Sequence, residues 1–124
     1  MFTQFGKLLR KIRIDRGMLL KDMAAGLDVS SAYLSAIETG RKAVTDDVVA
    51  KVAEYLGYPT HSDEYQELYD AAQITKGEVS ISTLGASPLK QQAALAFARQ
   101  FNELEGDDME KILSLLKAAK KPRG

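Results

Sequence analysis

The chain has 124 residues, of which 45% are hydrophobic, and its 17 basic residues balance its 17 acidic ones. This length suits one small domain, or a small domain with an appendage, whose core is modest. Without cysteine there is no disulfide or thiolate chemistry, and no apolar run approaches the ~20 residues that span a bilayer. Because no signal peptide is visible either, we expect a cytoplasmic protein that does not enter the membrane.

Apolar residues at helical spacing predict four helices in the first half of the chain. The first covers Thr3 to Arg16 and is broken by Gly17. A short second helix covers Lys21 to Gly26. The third begins after the capping residue Ser30 and ends at Gly40, and the fourth begins at Thr45 and ends at Gly57. Hydroxyl residues at the starts and glycines at the ends are the usual helix boundaries.

The second half predicts three more helices and one extended segment. The fifth helix runs from near Ser62 to near Gly77. Residues 79–83 then alternate apolar and polar side chains, which indicates a strand or an extended linker. The sixth helix begins at Ser87-Pro88 and is expected to end at Gly106, after which Asp107 can cap the seventh. The chain as a whole is therefore expected to be all-α.

The second and third helices have the layout of a helix-turn-helix, in which the later helix enters the DNA major groove. Leu27 and Asp28 form the turn between them. Leu34 and Ile37 are three residues apart and therefore mark the buried face of the third helix. An acidic-Thr-Gly-basic sequence, Glu38 to Arg41, closes the motif.

The segment Phe5 to Leu56 resembles the lambda-repressor-like (XRE/Cro) DNA-binding domain. The landmarks that carry the resemblance are Arg13, Gly17, Met23-Ala24, Val29-Ser30, Leu34-Ser35, Ile37-Glu38 and Gly40-Arg41. It covers a little under half of the chain. The resemblance says nothing specific about the rest of the chain. With the fifth helix included, we expect a five-helix DNA-binding domain over residues 1–77, followed over residues 78–124 by a short extended segment and a helical hairpin.

Family members read bases from four positions that are occupied here by small side chains: Ser31, Ala32, Ser35 and Ala36. None of these can make the bidentate contacts by which Arg reads guanine or Asn and Gln read adenine. The helix either reads thymine methyls and single hydrogen bonds or fits the groove by shape. Phosphate contacts are predicted at Lys21, Tyr33, Thr39, Arg41 and Lys42, and the alternative for these residues is an ordinary solvated surface.

The resemblance also bears on two further pairs of residues. Arg13 and Glu38 usually form a buried ion pair that links the first helix to the end of the third, and the alternative places Arg13 on a phosphate. Leu19 and Leu20 depart from the family, which commonly has polar residues there that grip a phosphate. These two leucines either fold into the core, or they indicate a non-standard DNA pose or an apolar protein-contact patch beside the DNA face.

The distribution of charge is compatible with DNA binding although the total is zero. Residues 1–57 carry nine Lys/Arg and seven Asp/Glu, residues 58–106 carry three and seven, and residues 107–124 carry five and three. The two ends are mildly basic and the middle is acidic. Since phosphate neutralisation supplies much of DNA affinity, each subunit is expected to bind only modestly.

The sixth and seventh helices each have an apolar face, and a hairpin of this size forms little core alone. They either pack back on the helix-turn-helix domain or join other subunits. We expect them to form a homo-oligomer, a dimer or a tetramer, because repressors of this type act on two half-sites. The residues expected between chains are Phe97, Phe101, Ile112, Leu113 and Leu116.

No enzyme, cofactor or metal site is predicted: His61 is the single histidine and there is no cysteine to share a metal. The expected function is a repressor of a phage or mobile element, which binds double-stranded operator DNA. Because the chain is too short for a self-cleaving Ser-Lys peptidase domain, a protein antirepressor would release it. The alternative is an antitoxin that neutralises a toxin protein and regulates its own operon, and a pure protein-interaction module is a weaker third option.

Overall fold

The computed structural model describes residues 1–119, and this part of the chain contains helices and no strand. The α-helices are α1 Gln4–Arg16, α2 Leu20–Gly26, α3 Ser31–Glu38, α4 Asp46–Leu56, α5 Asp63–Lys76, α6 Pro88–Gln100 and α7 Gly106–Ala119. They fall into two compact units, an N-terminal unit of residues 1–80 and a C-terminal unit that starts at Ile81. None of the helices within residues 1–119 is long and apolar enough to cross a bilayer.

The helix ends of the N-terminal unit follow from local chemistry. Side-chain hydroxyls accept the hydrogen bond of the backbone N–H three residues later, at 3.0–3.2 Å, and these caps are Thr3, Ser30, Thr45 and Ser62. Gly17 and Gly57 end α1 and α4 with φ of 65° and 79°, a left-handed conformation that L side chains rarely adopt. The ends predicted from these residues are confirmed.

A single apolar core joins the five helices of the N-terminal unit. Its fully buried large side chains are Phe5, Leu9, Met23, Leu34, Ile37, Val52 and Leu68. The helix α5 belongs to this core, since Leu68 and Ala72 are buried and the N–H of Phe5 donates to the Thr75 hydroxyl at 3.0 Å. The fifth helix therefore packs against the first and the fourth.

Two glycines allow a close approach of neighbouring elements. A Cβ on Gly6 of α1 would lie 2.1 Å from the carbonyl oxygen of Glu38 at the end of α3. A Cβ on Gly26 of α2 would lie 2.0 Å from the ring of Tyr55 on α4. No larger residue fits either position without movement of the neighbour.

The segment after α5 is an extended linker and not a strand. Val79 and Ile81 are exposed, and residues 78–83 form no regular element. A bend follows, in which the N–H of Ala86 donates to the Thr83 carbonyl at 3.0 Å and Gly85 has φ of 78°. The strand alternative is wrong because residues 1–119 offer no second strand for pairing.

The boundary between α6 and α7 differs from the expected one. The helix α6 ends at Gln100, a single 3-10 turn follows over Phe101–Glu103, and Gly106 is the first residue of α7 rather than the end of α6. The N–H of Glu105 donates to the carboxylate of Asp108, not Asp107, at 3.1 Å. This bond satisfies a backbone donor ahead of the helix, and it explains why α7 starts at Gly106.

Neither helix of the C-terminal unit contains a buried residue within residues 81–119. Phe97 and Phe101 pack edge to face with their ring centroids 5.6 Å apart, yet Phe101 stays 52% exposed. Leu113 and Leu116 are more than half exposed, and Ile112 is half-buried. The apolar faces of α6 and α7 are therefore largely open in a single chain.

Candidate nucleic-acid interface

The turn between α2 and α3 is short and internally hydrogen-bonded. Asp28 adopts φ of 58°, a left-handed conformation that aspartate tolerates better than most residues. The N–H of Val29 donates to the carbonyl of Ala24 at 3.0 Å, and Ser30 then caps α3 by accepting from the N–H of Tyr33. This geometry sets the angle at which α3 leaves α2.

The predicted base-reading residues share the outward side of α3. Leu34 and Ile37 are buried on its inner side. Ser31 and Ala32 are exposed at its start, and Ser35 and Ala36 are half-buried one turn later. These four side chains are all small, and Tyr33, which is 37% exposed, lies beside them on the same helix.

Backbone hydrogen bonds hold the chain after α3 close to the helix end. Gly40, with φ of 82°, donates to the carbonyl of Ile37 at 3.2 Å, and the N–H of Lys42 donates to the carbonyl of Ala36 at 3.0 Å. The Thr39 hydroxyl donates to the Ser35 carbonyl at 2.9 Å and accepts from the Nε of Arg41 at 3.3 Å. Thr39 is therefore bonded to Arg41 within the protein, and its phosphate contact stays a prediction.

The basic residues predicted for phosphate are all exposed. Arg41 and Lys42 follow α3, and Lys21 lies in the first turn of α2. Within residues 1–119 none of the three forms an ion pair with a carboxylate. Their charges remain available to an anionic partner such as the DNA backbone.

A buried ion pair anchors the end of α3 to α1. The guanidinium of Arg13 makes a two-pronged contact with the Glu38 carboxylate: Nη1 donates to Oε2, and Nη2 donates to Oε1 at 3.0 Å. The side chains are 8% and 1% exposed. Because Arg13 is buried, the structure shows the ion pair with Glu38 and not a surface position from which Arg13 would bind a phosphate directly. The backbone N–H of Thr3 adds a bond to the Glu38 carbonyl at 2.9 Å.

The two leucines at the start of α2 have different environments. Leu20 packs against the core, whereas Leu19 is 60% exposed. The N–H of Leu19 donates to the Asp22 carboxylate at 2.9 Å, and this acidic residue also suits the positive end of the helix dipole. The core alternative therefore describes Leu20, and the exposed-patch alternative describes Leu19.

A cleft between α3 and α4 places Lys51, which the sequence did not single out, beside the predicted phosphate-contacting residue Tyr33. It has a volume of about 180 Å³, its floor is formed by core residues such as Leu34, and Tyr33 and Lys51 line it. The ammonium of Lys51 lies 3.4 Å from the Asp47 carboxylate. The sequence alone does not mark Lys51 as part of this cleft, because only the packing of α4 on α3 brings it beside Tyr33.

Comparison with known proteins gives one match. A family model described as "Helix-turn-helix" matches residues 9–61, which span most of α1 and all of α2, α3 and α4. No curated protein and no solved structure matched the chain.

Proposed function

We propose that this protein acts as a repressor. Residues 9–61 belong to the lambda-repressor-like (XRE) helix-turn-helix family, and this membership supports a DNA-binding transcription regulator. The repressor binds operator DNA with α3 in the major groove. The protein belongs to a phage or mobile element, and it works as an oligomer on paired half-sites. The observation that carries this proposal is the outward side of α3 with its small side chains, flanked by exposed basic residues and anchored from within by Arg13 and Glu38.

Recognition in this proposal depends on shape more than on direct base contacts. Ala32 and Ala36 offer methyl groups to thymine, and Ser31 and Ser35 offer single hydrogen bonds. A bidentate contact contributes about 1–3 kcal/mol of discrimination, and none of these side chains can make one. Sequence preference therefore arises largely from how easily the operator adopts the bound groove geometry.

Replacing Arg41 and Lys42 together with alanine tests the proposed interface. We expect the variant to bind all DNA sequences more weakly by at least about tenfold near physiological salt. The slope of log K against log salt should fall by about 1.8, since each lost phosphate contact removes about 0.9. Gel-shift titrations of the protein on DNA flanking its own gene, at two or more salt concentrations, measure both quantities.

The matched control is replacement of Lys90 and Arg99 with alanine, which removes the same charge from exposed positions on α6. This control should keep its salt slope. If the two double variants bind alike, the segment after α3 does not contact the phosphates and the proposed interface is wrong.

We also propose that a protein partner releases the repressor by contact with Leu19, which presents apolar surface at the start of α2. Replacing Leu19 with glutamine should leave DNA affinity within about threefold or raise it, because the family places polar residues that grip a phosphate there. The same variant should bind an antirepressor at least tenfold more weakly. The control is Ile74→Gln, which alters an equally exposed residue on α5. A Leu19→Gln variant that folds and keeps full partner affinity would rule out this contact.

A further inference from the structure

The seventh helix carries an apolar stripe that the described residues 81–119 cover only in part. Met109, Ile112, Leu113 and Leu116 recur at intervals of three and four residues, so they lie on one side of α7. Leu113 is 54% exposed and Leu116 is 58% exposed. A helix of 14 residues is marginal in water without packing of its apolar face, and this stripe accordingly requires a partner surface.

Two opposite charges border this stripe along the same edge. Glu110 and Lys117 are seven residues apart, which brings both to the same side of the helix. Their backbone positions are separated by about 10 Å along the axis, so they cannot pair with one another in one chain. Both side chains are exposed, and within residues 1–119 neither forms an ion pair.

We propose that the stripe on α7 packs antiparallel against α7 of a second copy of this chain, about a two-fold axis near Leu113. In such a pair the same edge of the two stripes lies on the same side of the interface, and the two helices run in opposite directions. Glu110 of one chain then lies beside Lys117 of the partner subunit, and the contact occurs twice. A parallel pair has its two-fold axis along the helices, so this edge of one stripe faces the opposite edge of the other, and Glu110 does not lie beside Lys117 of the partner subunit.

The distribution of the other charges on α7 agrees with this orientation. Asp107 and Asp108 lie in its first turn and Lys117 in its last. An antiparallel pair brings the acidic start of each helix to the basic end of the other. This inference rests on the proposed function, in which the chain works as an oligomer, and extends it by naming the helix, its orientation and the charge pair.

Charge exchange at the two positions tests the arrangement in the full-length protein. Glu110→Lys places lysine against lysine twice, and Lys117→Glu places glutamate against glutamate twice. We expect each single variant to raise the dimer dissociation constant by about tenfold or more, since two attractive contacts become repulsive. The double variant, Glu110→Lys with Lys117→Glu, should return to within about threefold of the original, because it restores both contacts with reversed sign. Sedimentation equilibrium at low salt measures these constants.

Mixing the two single variants gives a second readout. One variant carries lysine at both positions and the other carries glutamate at both, so a mixed dimer has only attractive contacts. The mixture should associate more tightly than either variant alone, and the effect should weaken with added salt as the charges are screened. Circular dichroism on each variant verifies that α7 remains helical.

Paired leucine substitutions locate the buried side of α7. Leu113 and Leu115 are both exposed in the single chain, at 54% and 69%, but two residues correspond to about 200° around a helix. Leu113→Ala should weaken association at least tenfold, whereas Leu115→Ala should change it less than threefold.

The proposal is overturned if the single charge variants associate as the original protein does, or if the double variant fails to recover, or if Leu115→Ala weakens association as much as Leu113→Ala. Gel shifts with the same variants on a single half-site separate this result from the proposed function. If the α7 variants keep both their DNA binding and their association, the α7 pairing alone is refuted. The effect of the Arg41 and Lys42 variant on DNA binding does not depend on the α7 pairing.

Discussion

Replacing Glu38 with leucine is expected to destabilise the N-terminal unit by about 3–5 kcal/mol, because the guanidinium of Arg13 would stay buried without its partner. The Glu38 side chain is 1% exposed and accepts both hydrogen bonds from Arg13, so no water replaces the lost contact. This loss is a large fraction of the 5–15 kcal/mol that typically separates folded from unfolded protein. Urea denaturation near 15 °C, followed by circular dichroism, measures the change.

Two controls separate the buried pair from ordinary charge effects. Adding Arg13→Met to Glu38→Leu removes the unpaired charge, and the double variant should recover most of the lost stability. Replacing Lys51 with alanine breaks the exposed contact with Asp47 and should cost less than about 1 kcal/mol. A Glu38→Leu variant no less stable than the Lys51→Ala variant would show that the pair contributes little to the fold.

Alanine at Gly6 should also destabilise the N-terminal unit strongly, by about 3 kcal/mol or more. In an unobstructed helix this exchange stabilises by up to about 1 kcal/mol. Here the new methyl carbon would lie 2.1 Å from the Glu38 carbonyl oxygen, and α1 and α3 would have to separate. Separation also breaks the bond from the Thr3 N–H to the same oxygen. The combined cost lies at or above the upper end of typical overpacking in a core, and the midpoint of thermal unfolding reports it.

Two other glycines provide graded comparisons. Gly26→Ala meets the ring of Tyr55 at a similar distance, 2.0 Å, but a side chain can move where a backbone carbonyl cannot, so its cost should be smaller. A methyl group on Gly106 meets nothing within 4 Å, and Gly106→Ala should be neutral or slightly stabilising. Equal effects of the Gly6 and Gly106 exchanges would contradict the close contact between α1 and α3.

Most helix boundaries of the N-terminal unit were predictable because they carry a chemical marker, which α2 lacks at both ends. Ser30 and Thr45 offer a hydroxyl to a backbone N–H, and Gly57 takes a conformation that other residues avoid. The end of α6 carries no such marker: Gln100 is an ordinary helical residue, and the apolar spacing continues through Phe101. Periodicity alone therefore extended the predicted helix too far.

The outward side of α3 was also predictable, since Leu34 and Ile37 leave only one side free. The hydrogen bonds of Thr39 were not, because a hydroxyl near a helix end can face solvent or its own backbone, and the sequence is the same in both cases. The contacts of Gly6 and Gly26 were equally hidden. Each depends on which element lies opposite, and this is decided by the packing of the whole unit.

The bond between Phe5 and Thr75 joins positions 70 residues apart, and this affects how the protein forms on the ribosome. The complete helix-turn-helix leaves the ribosome well before α5 does. Until Leu68 and Ala72 emerge, the apolar residues of α1 that they cover remain open to water and to other chains. A nascent chain that stops after α4 thus contains the entire DNA-reading motif and lacks the helix that completes its core. Interrupted synthesis should yield fragments prone to aggregation and degradation rather than folded DNA-binding domains that compete with the full-length protein.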